Sequence, residues 1–281
     1  MGATGTASPG SPGHVTLTYL GAAGWRLDDD SHVLLVDPYF SRRNVEDTGS
    51  SLTPDEAAIA RYCPHVADAI LVGHSHYDHL LDVPDVAKLT GALVIGTEST
   101  LNLVRAARVP EERLFLAHAG ESFSVGPFAV HPLRGLHSLT GQTNIGANIP
   151  RDVALPLTAD GYGEGGTLQY LVHVAGRSIL FIGSANFVEN ELRGLHPDIA
   201  IVAVALREKV PDYSCRLVRA LGNPALVLAN HFDAHWEPLG PRQMDLDDEA
   251  RASLAKFAAE VASCAPTTRV VVPVHLQPMP I

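Results

Sequence analysis

The run Gly73-His74-Ser75-His76-Tyr77-Asp78-His79 constrains this chain more than any other part of it. Four groups able to ligate a metal fall within six positions, directly behind the apolar stretch Ala69-Ile70-Leu71-Val72. Protonated imidazoles this close would repel one another, and a structural role for one seldom requires the others. A bound cation explains them jointly. The apolar stretch reads as a short buried strand, and Gly73 as the point where the backbone turns and exposes the ligands on a loop. Side chains alternate along extended backbone, so His74 and His76 can share one cation while Asp78 and His79 turn toward an adjacent position. Neutral imidazole and carboxylate suit zinc, manganese or iron, and the run offers no thiolate.

Elsewhere the chain alternates strand and helix patterns, which predicts an α/β architecture with helices on the outer faces of sheets. Strands are expected at Val15–Leu20 and Val33–Val36, with Asp28-Asp29-Asp30-Ser31 as a turn between two strands. After the histidine run come a helix over Leu80–Leu89, a strand at Ala92–Gly96, a helix over Leu101–Ala107, a strand at Leu114–Leu116 and a meander through Phe123–Leu133. Thr140–Gly166, rich in Gly, Asn, Asp and Pro, reads as a long loop of the kind that carries substrate contacts. The second half follows the same theme. Strands are expected at Leu168–Val174, Ser178–Ile182, Ile199–Val204, Leu226–His231 and Val270–Val274, with helices near Glu189–Leu195, Cys215–Leu221 and Asp247–Ala262.

The His-Ser-His-Tyr-Asp-His-Leu form resembles the HxHxDH motif of the metallo-β-lactamase fold superfamily, and looks most like its ascorbate phosphate lactonase and N-acyl phosphatidylethanolamine phospholipase branches. The likeness extends beyond the motif: Asp37 ends an early apolar strand, His137 follows the strand that contains His131, and His231 closes Leu226–Asn230. The resemblance implies a four-layer αββα sandwich with the metal site at one edge, between the two β-sheets. It implies one or two divalent ions, zinc first with manganese or iron as alternatives. His74, His76 and His137 would hold one ion, and Asp78, His79 and His231 a second. One element of the pattern is missing. The family expects Gly-Asp after a strand, its carboxylate bridging two metals, and here Gly183 is followed by Ser184. A hydroxyl is a poorer ligand and brings no charge to offset two dications. Asp233 is therefore a candidate to compensate, or to protonate a leaving oxygen, with a loop-stabilising role as the alternative.

These features predict a hydrolase in which a metal-activated water attacks a small-molecule ester, a lactone first, with Asp78 orienting the nucleophile. A phosphodiesterase of the same fold and a metal-depleted binding protein are the alternatives. Flavodiiron proteins also resemble this fold but carry glutamate at the position of His76. With 281 residues and 46% hydrophobic composition, residues 14–281 can form one such domain behind a Gly/Ser/Thr/Pro-rich tail over residues 1–13. The formal charge of -11 disfavours nucleic acid as a partner, and no apolar stretch is long enough to span a bilayer. A cytoplasmic protein is expected, with homo-oligomerisation left open. Cys63, Cys215 and Cys264 show no paired spacing, so free thiols are expected.

Overall fold

The computed structural model describes residues 15–29, 31–45, 49–141, 144–240 and 246–281. The expected tail over residues 1–13 and Asp30 of the expected turn lie outside the described residues. In chain order the strands and helices are β1 (Val15–Gly21), β2 (Gly24–Asp29), β3 (His32–Val36), α1 (Glu56–Tyr62), β4 (Ala69–Leu71), α2 (Tyr77–Leu80), α3 (Val83–Thr90), β5 (Leu93–Gly96), α4 (Glu98–Ala106) and β6 (Leu114–Leu116). There follow β7 (Phe123–Val125), β8 (Phe128–Arg134), β9 (Leu168–Val174), β10 (Arg177–Ile182), α5 (Glu189–Leu192), β11 (Ile199–Ala203), α6 (Tyr213–Ala220), β12 (Leu226–Asn230), α7 (Asp248–Cys264), β13 (Arg269–Val271) and β14 (Pro278–Pro280).

Two seven-stranded sheets result, ordered β14-β1-β2-β3-β4-β5-β6 and β13-β12-β11-β10-β9-β8-β7. The strand sequences explain the layering. Leu34, Val36, Ala69, Leu71 and Ile95 enter one apolar cluster together with Ile179, Phe181, Ile201 and Leu228 of the other sheet. Their alternating neighbours Leu35, Ile70 and Val94 pack instead with Leu80, Val83, Val86 and Leu101 of the helices. On the second sheet Leu180, Ile182, Ala200, Val202 and Val227 face Leu217, Leu254 and Phe257. Strands buried on both faces read as continuous apolar runs and pair in parallel here, as β3, β4 and β5 do in one sheet and β10, β11 and β12 in the other, with the more exposed β6 and β13 extending each parallel set. The outcome is the expected four-layer αββα sandwich.

Several local expectations are corrected. The helix expected over Leu80–Leu89 is two helices, because Pro84 starts a new one at the first turn of α3 and Asp82 spends its carboxylate on the Phe40 and Ser41 amides. The strand expected over Val270–Val274 stops at Val271, and the chain then crosses to the other sheet, where β14 pairs with β1 at an edge that tolerates its two prolines. From the first half of the chain β7 and β8 join the second sheet, and from its end β14 joins the first. Two thiols expected to be free are joined: Cys215 on α6 and Cys264 on α7 form a disulfide with Cα atoms 5.8 Å apart, while Cys63 is free and buried. A separation of 49 residues left no local signal for that pair.

Candidate metal centre

The site is assembled at one edge of the sandwich from chain segments that leave strands: Asp37 after β3, residues 73–79 after β4, His137 after β8, Ser184 after β10 and His231 after β12. Asp37 and His231 take φ of 43° and 49°, left-handed values that non-glycine residues seldom adopt and that the surrounding packing must hold. Asp37 is almost wholly buried and organises the motif loop. Its Oδ1 accepts the Gly73 amide at 2.6 Å and its Oδ2 lies 3.0 Å from Nδ1 of His79. A Cβ at Gly73 would stand 2.9 Å from that Oδ2, and one at Gly183 3.0 Å, so both glycines are needed for the carboxylate to reach between the strand ends.

His74, His76 and His137 converge, each offering a ligand nitrogen within 4.8 Å of the others. Nε2 of His74 and Nδ1 of His76 face each other at 3.1 Å, and Nε2 of His76 is buried without a hydrogen-bond partner. Nδ1 of His137 is 2.8 Å from the Ser138 carbonyl, which can only accept, so that nitrogen carries the proton and Nε2 keeps its lone pair. Burial, reinforced by the neighbouring imidazoles, holds His74 well below the ordinary histidine range, and burial pushes His76 down to about 3 and His137 lower as well. Three neutral imidazoles with converging lone pairs fit a divalent cation, and three protein ligands leave a coordination position open.

A second group lies beside the first. Asp78, His231 and His235 also offer ligand atoms within 4.8 Å of one another, with Nε2 of His231 at 3.0 Å from Oδ2 of Asp78. Nε2 of His79 is 3.6 Å from the same oxygen. Burial would raise the Asp78 carboxyl, but the charges and hydrogen bonds of His79 and His231 override it and hold the group well below the usual range. For His79, burial favours the neutral ring, and the carboxylates of Asp37 and Asp78 outweigh it and raise the group. An imidazole clamped at Nδ1 by a carboxylate is the usual support of a metal-binding Nε2. Burial pushes the half-buried His235 down to about 4.

The structure thus brings His74, His76 and His137 into one group and Asp78 and His231 into another, with His79 beside Asp78, and adds His235 to the second. The available signal was the spacing His231-x-Asp233-x-His235, which means nothing until the loop conformation is known. Two expectations about carboxylates receive specific answers. The Ser184 hydroxyl is engaged with Ser138: its Oγ accepts the Ser138 amide at 2.8 Å and lies 3.3 Å from Ser138 Oγ, and so steadies the His137 loop. Asp233 does not supply the missing bridge. Its Oδ1 accepts from the Tyr19 hydroxyl (2.8 Å) and the Ala22 amide (2.9 Å), and its Oδ2 from Arg42 Nη2 (2.7 Å) and His275 Nε2 (2.9 Å). Burial opposes its charge, but the hydrogen bond from His275 and the guanidinium of Arg42 prevail and hold the carboxyl far below its ordinary value.

Facing β-sheets with paired ligand clusters at the edge of their interface define the metallo-β-lactamase fold class. The chain belongs to the β-lactamase superfamily domain family, whose model matches residues 32–275. It is similar to a UPF0173 metal-dependent hydrolase of Methylocella silvestris, 32% identical over 133 residues that cover 47% of this chain and 52% of that protein. A namesake from Rubrobacter xylanophilus is 27% identical over 235 residues, covering 83% and 88%. The chain spans about half or less of the length of the first of these relatives. Among solved structures, Igni18, a metallo hydrolase of Ignicoccus hospitalis, superposes with a TM-score of 0.61 at 15% identity, covering 95% of this chain and 98% of that one. CmlA, a diiron β-hydroxylase of Streptomyces venezuelae, gives 0.61 at 16% identity over 96% and 55%. These two structures share the fold with this chain.

Proposed function

We propose that the chain is a metal-dependent hydrolase of small-molecule esters, with lactones as the first substrate class. The observation that carries this reading is the convergence of His74, His76 and His137, neutral and partly unpartnered, beside the second cluster of Asp78, His231 and His235. A divalent ion bound there supplies a Lewis acid and lowers the pKa of water toward neutrality. The residues do the remaining work. Asp78, held ionised at the boundary of the two clusters, accepts a hydrogen bond from the attacking water and orients its lone pair toward the ester carbonyl. His79, fixed by Asp37, holds its Nε2 toward Asp78. Asp233, expected as an acid, is assigned a positioning role because all four of its contacts are donors already in place.

The lactone reading is preferred to a phosphodiester on two grounds. Arg42 gives Nη2 to Asp233 and the Ala234 carbonyl, and so is directed at the loop behind the second cluster. The motif form His-Ser-His-Tyr-Asp-His-Leu supports the same choice. Metal analysis of protein purified without chelator, with assays on lactone, thioester and phosphodiester substrates, tests the proposal. Bound metal and lactone turnover are expected, and both should be lost in His76→Ala and His137→Ala. Turnover and metal content that survive either substitution would sink the assignment, and a wild-type protein with neither would establish the binding-protein reading instead.

A further inference from the structure

Resting on the metal-hydrolase reading, we infer that His235 is a further, terminal ligand of the second cation. The other carboxylates near the second cluster are engaged. Asp37 is committed to the Gly73 amide and to His79. Asp233 accepts four hydrogen bonds and faces β1 and Arg42. Among the described residues Asp78 remains, and with His231 it offers two ligands, with Nε2 of His79 nearby as a third. The Ser184 hydroxyl is turned to Ser138 and adds no ligand.

His235 stands where it can add a further donor beside Asp78 and His231. It offers a ring nitrogen within 4.8 Å of the ligand atoms of Asp78 and His231, and its ring centroid is 5.8 Å from that of His231. The loop that carries it is held on both sides. Arg42 donates to the Ala234 carbonyl at 2.6 Å and also to the Glu237 carbonyl, while Asp233 anchors the same turn to β1 and His275. This knot fixes the 233–237 backbone independently of any ion, so the imidazole is preorganised. The Tyr77 hydroxyl, 3.1 Å from Nε2 of His235, offers the competing use, in which the ring is only a hydrogen-bond partner.

Titration of chelator-stripped protein with Zn²⁺, followed calorimetrically and by elemental analysis after dialysis, separates the two. Wild-type protein is expected to bind two equivalents. His235→Ala should keep the first and bind the second roughly tenfold or more weakly. His235→Asp, which restores a ligand, should recover the second equivalent, and Tyr77→Phe should keep both. The retained first equivalent shows that each variant is folded at the site. Substitution with Co²⁺ adds a spectroscopic reading, since loss of a ligand at one of two ions alters the visible d–d bands of the second equivalent only. Wild-type affinity for both equivalents in His235→Ala overturns the inference and leaves the hydrolase reading standing, as does a wild-type protein that binds a single equivalent. A wild-type protein that binds no metal overturns both.

Discussion

Residue 184 shows how one side chain can change the character of a site without emptying it. The serine Oγ takes the Ser138 amide, and the Ser138 carbonyl in turn takes the Nδ1 proton of His137, so the hydroxyl orients a first-cluster imidazole at one remove. Removing it should therefore be felt in two measurements. Ser184→Ala leaves a buried amide unpaired, a loss on the order of 1–3 kcal/mol, and frees the His137 loop. A lower melting temperature and a weaker first metal equivalent are expected, with Ser184→Thr restoring both. If stability falls but metal affinity does not, the hydroxyl supports the loop without orienting the ligand. The departure from the Gly-Asp pattern was legible in the sequence, whereas the use made of the hydroxyl was not, because its partner stands 46 residues away. His235 was missed for the same kind of reason. A histidine in an irregular loop acquires meaning only when Arg42 and Asp233 fix the turn around it.

Among the elements, the strands were the most legible, because period-two alternation states which face each side chain takes. Leu34 and Leu35, adjacent in β3, enter different cores for that reason alone. Helix ends were harder to read. α1 was not anticipated, although Asp55 caps it through the Ala58 amide, since a seven-residue helix offers little periodicity. The pairing of α6 with α7 was equally hidden, and with it the Cys215–Cys264 disulfide. This bridge closes a loop of 49 residues between two helices of the outer layer. Loop-closure entropy sets its contribution at up to about 4 kcal/mol. Cys215→Ala/Cys264→Ala should unfold at lower denaturant concentration by a corresponding amount, with unchanged metal stoichiometry, since the bridge touches neither cluster. Equal midpoints in oxidised and reduced protein would show that packing of Leu217, Phe257 and Val261 already holds the helices without it.

For the whole molecule, the pH dependence of stability is set by buried carboxyls that work in opposite directions. Asp82, buried between α2, α3 and the chain after β3, is pushed up to about 6 by burial, against the hydrogen bonds from Ser41 and Phe40. Its folded value exceeds its ordinary value of 3.8, so the folded state holds the proton more tightly. Stability from this group is therefore fully present at the acid end of that window and falls as pH rises from near 4 to above 6, by about 3 kcal/mol. Asp233 has the opposite sign. Its depressed value gives stability that is present above the ordinary carboxylate range and is lost as pH falls through it. Asp82→Asn should flatten the change in melting temperature between pH 4 and 6 while leaving the acid limb in place. A slope in that window equal to wild type would locate the titrating group elsewhere.

The sequence by itself determined the chemistry on offer and the layers that present it. Continuous apolar runs dictate strands with two buried faces, hence helices on the outer faces of paired sheets. A short strand followed by glycine and four ligands dictates a metal loop at a strand end, because ligand identity and local direction are properties of neighbouring residues. The tertiary structure alone decided which distant groups complete that loop. His137 and His231 arrive from the other sheet, Asp233 is spent on Tyr19, Arg42 and His275, Ser184 turns to Ser138, and His235 is brought beside Asp78. Each of these assignments depends on which donors and acceptors burial leaves without water. That competition is settled only after the sheets have closed on each other.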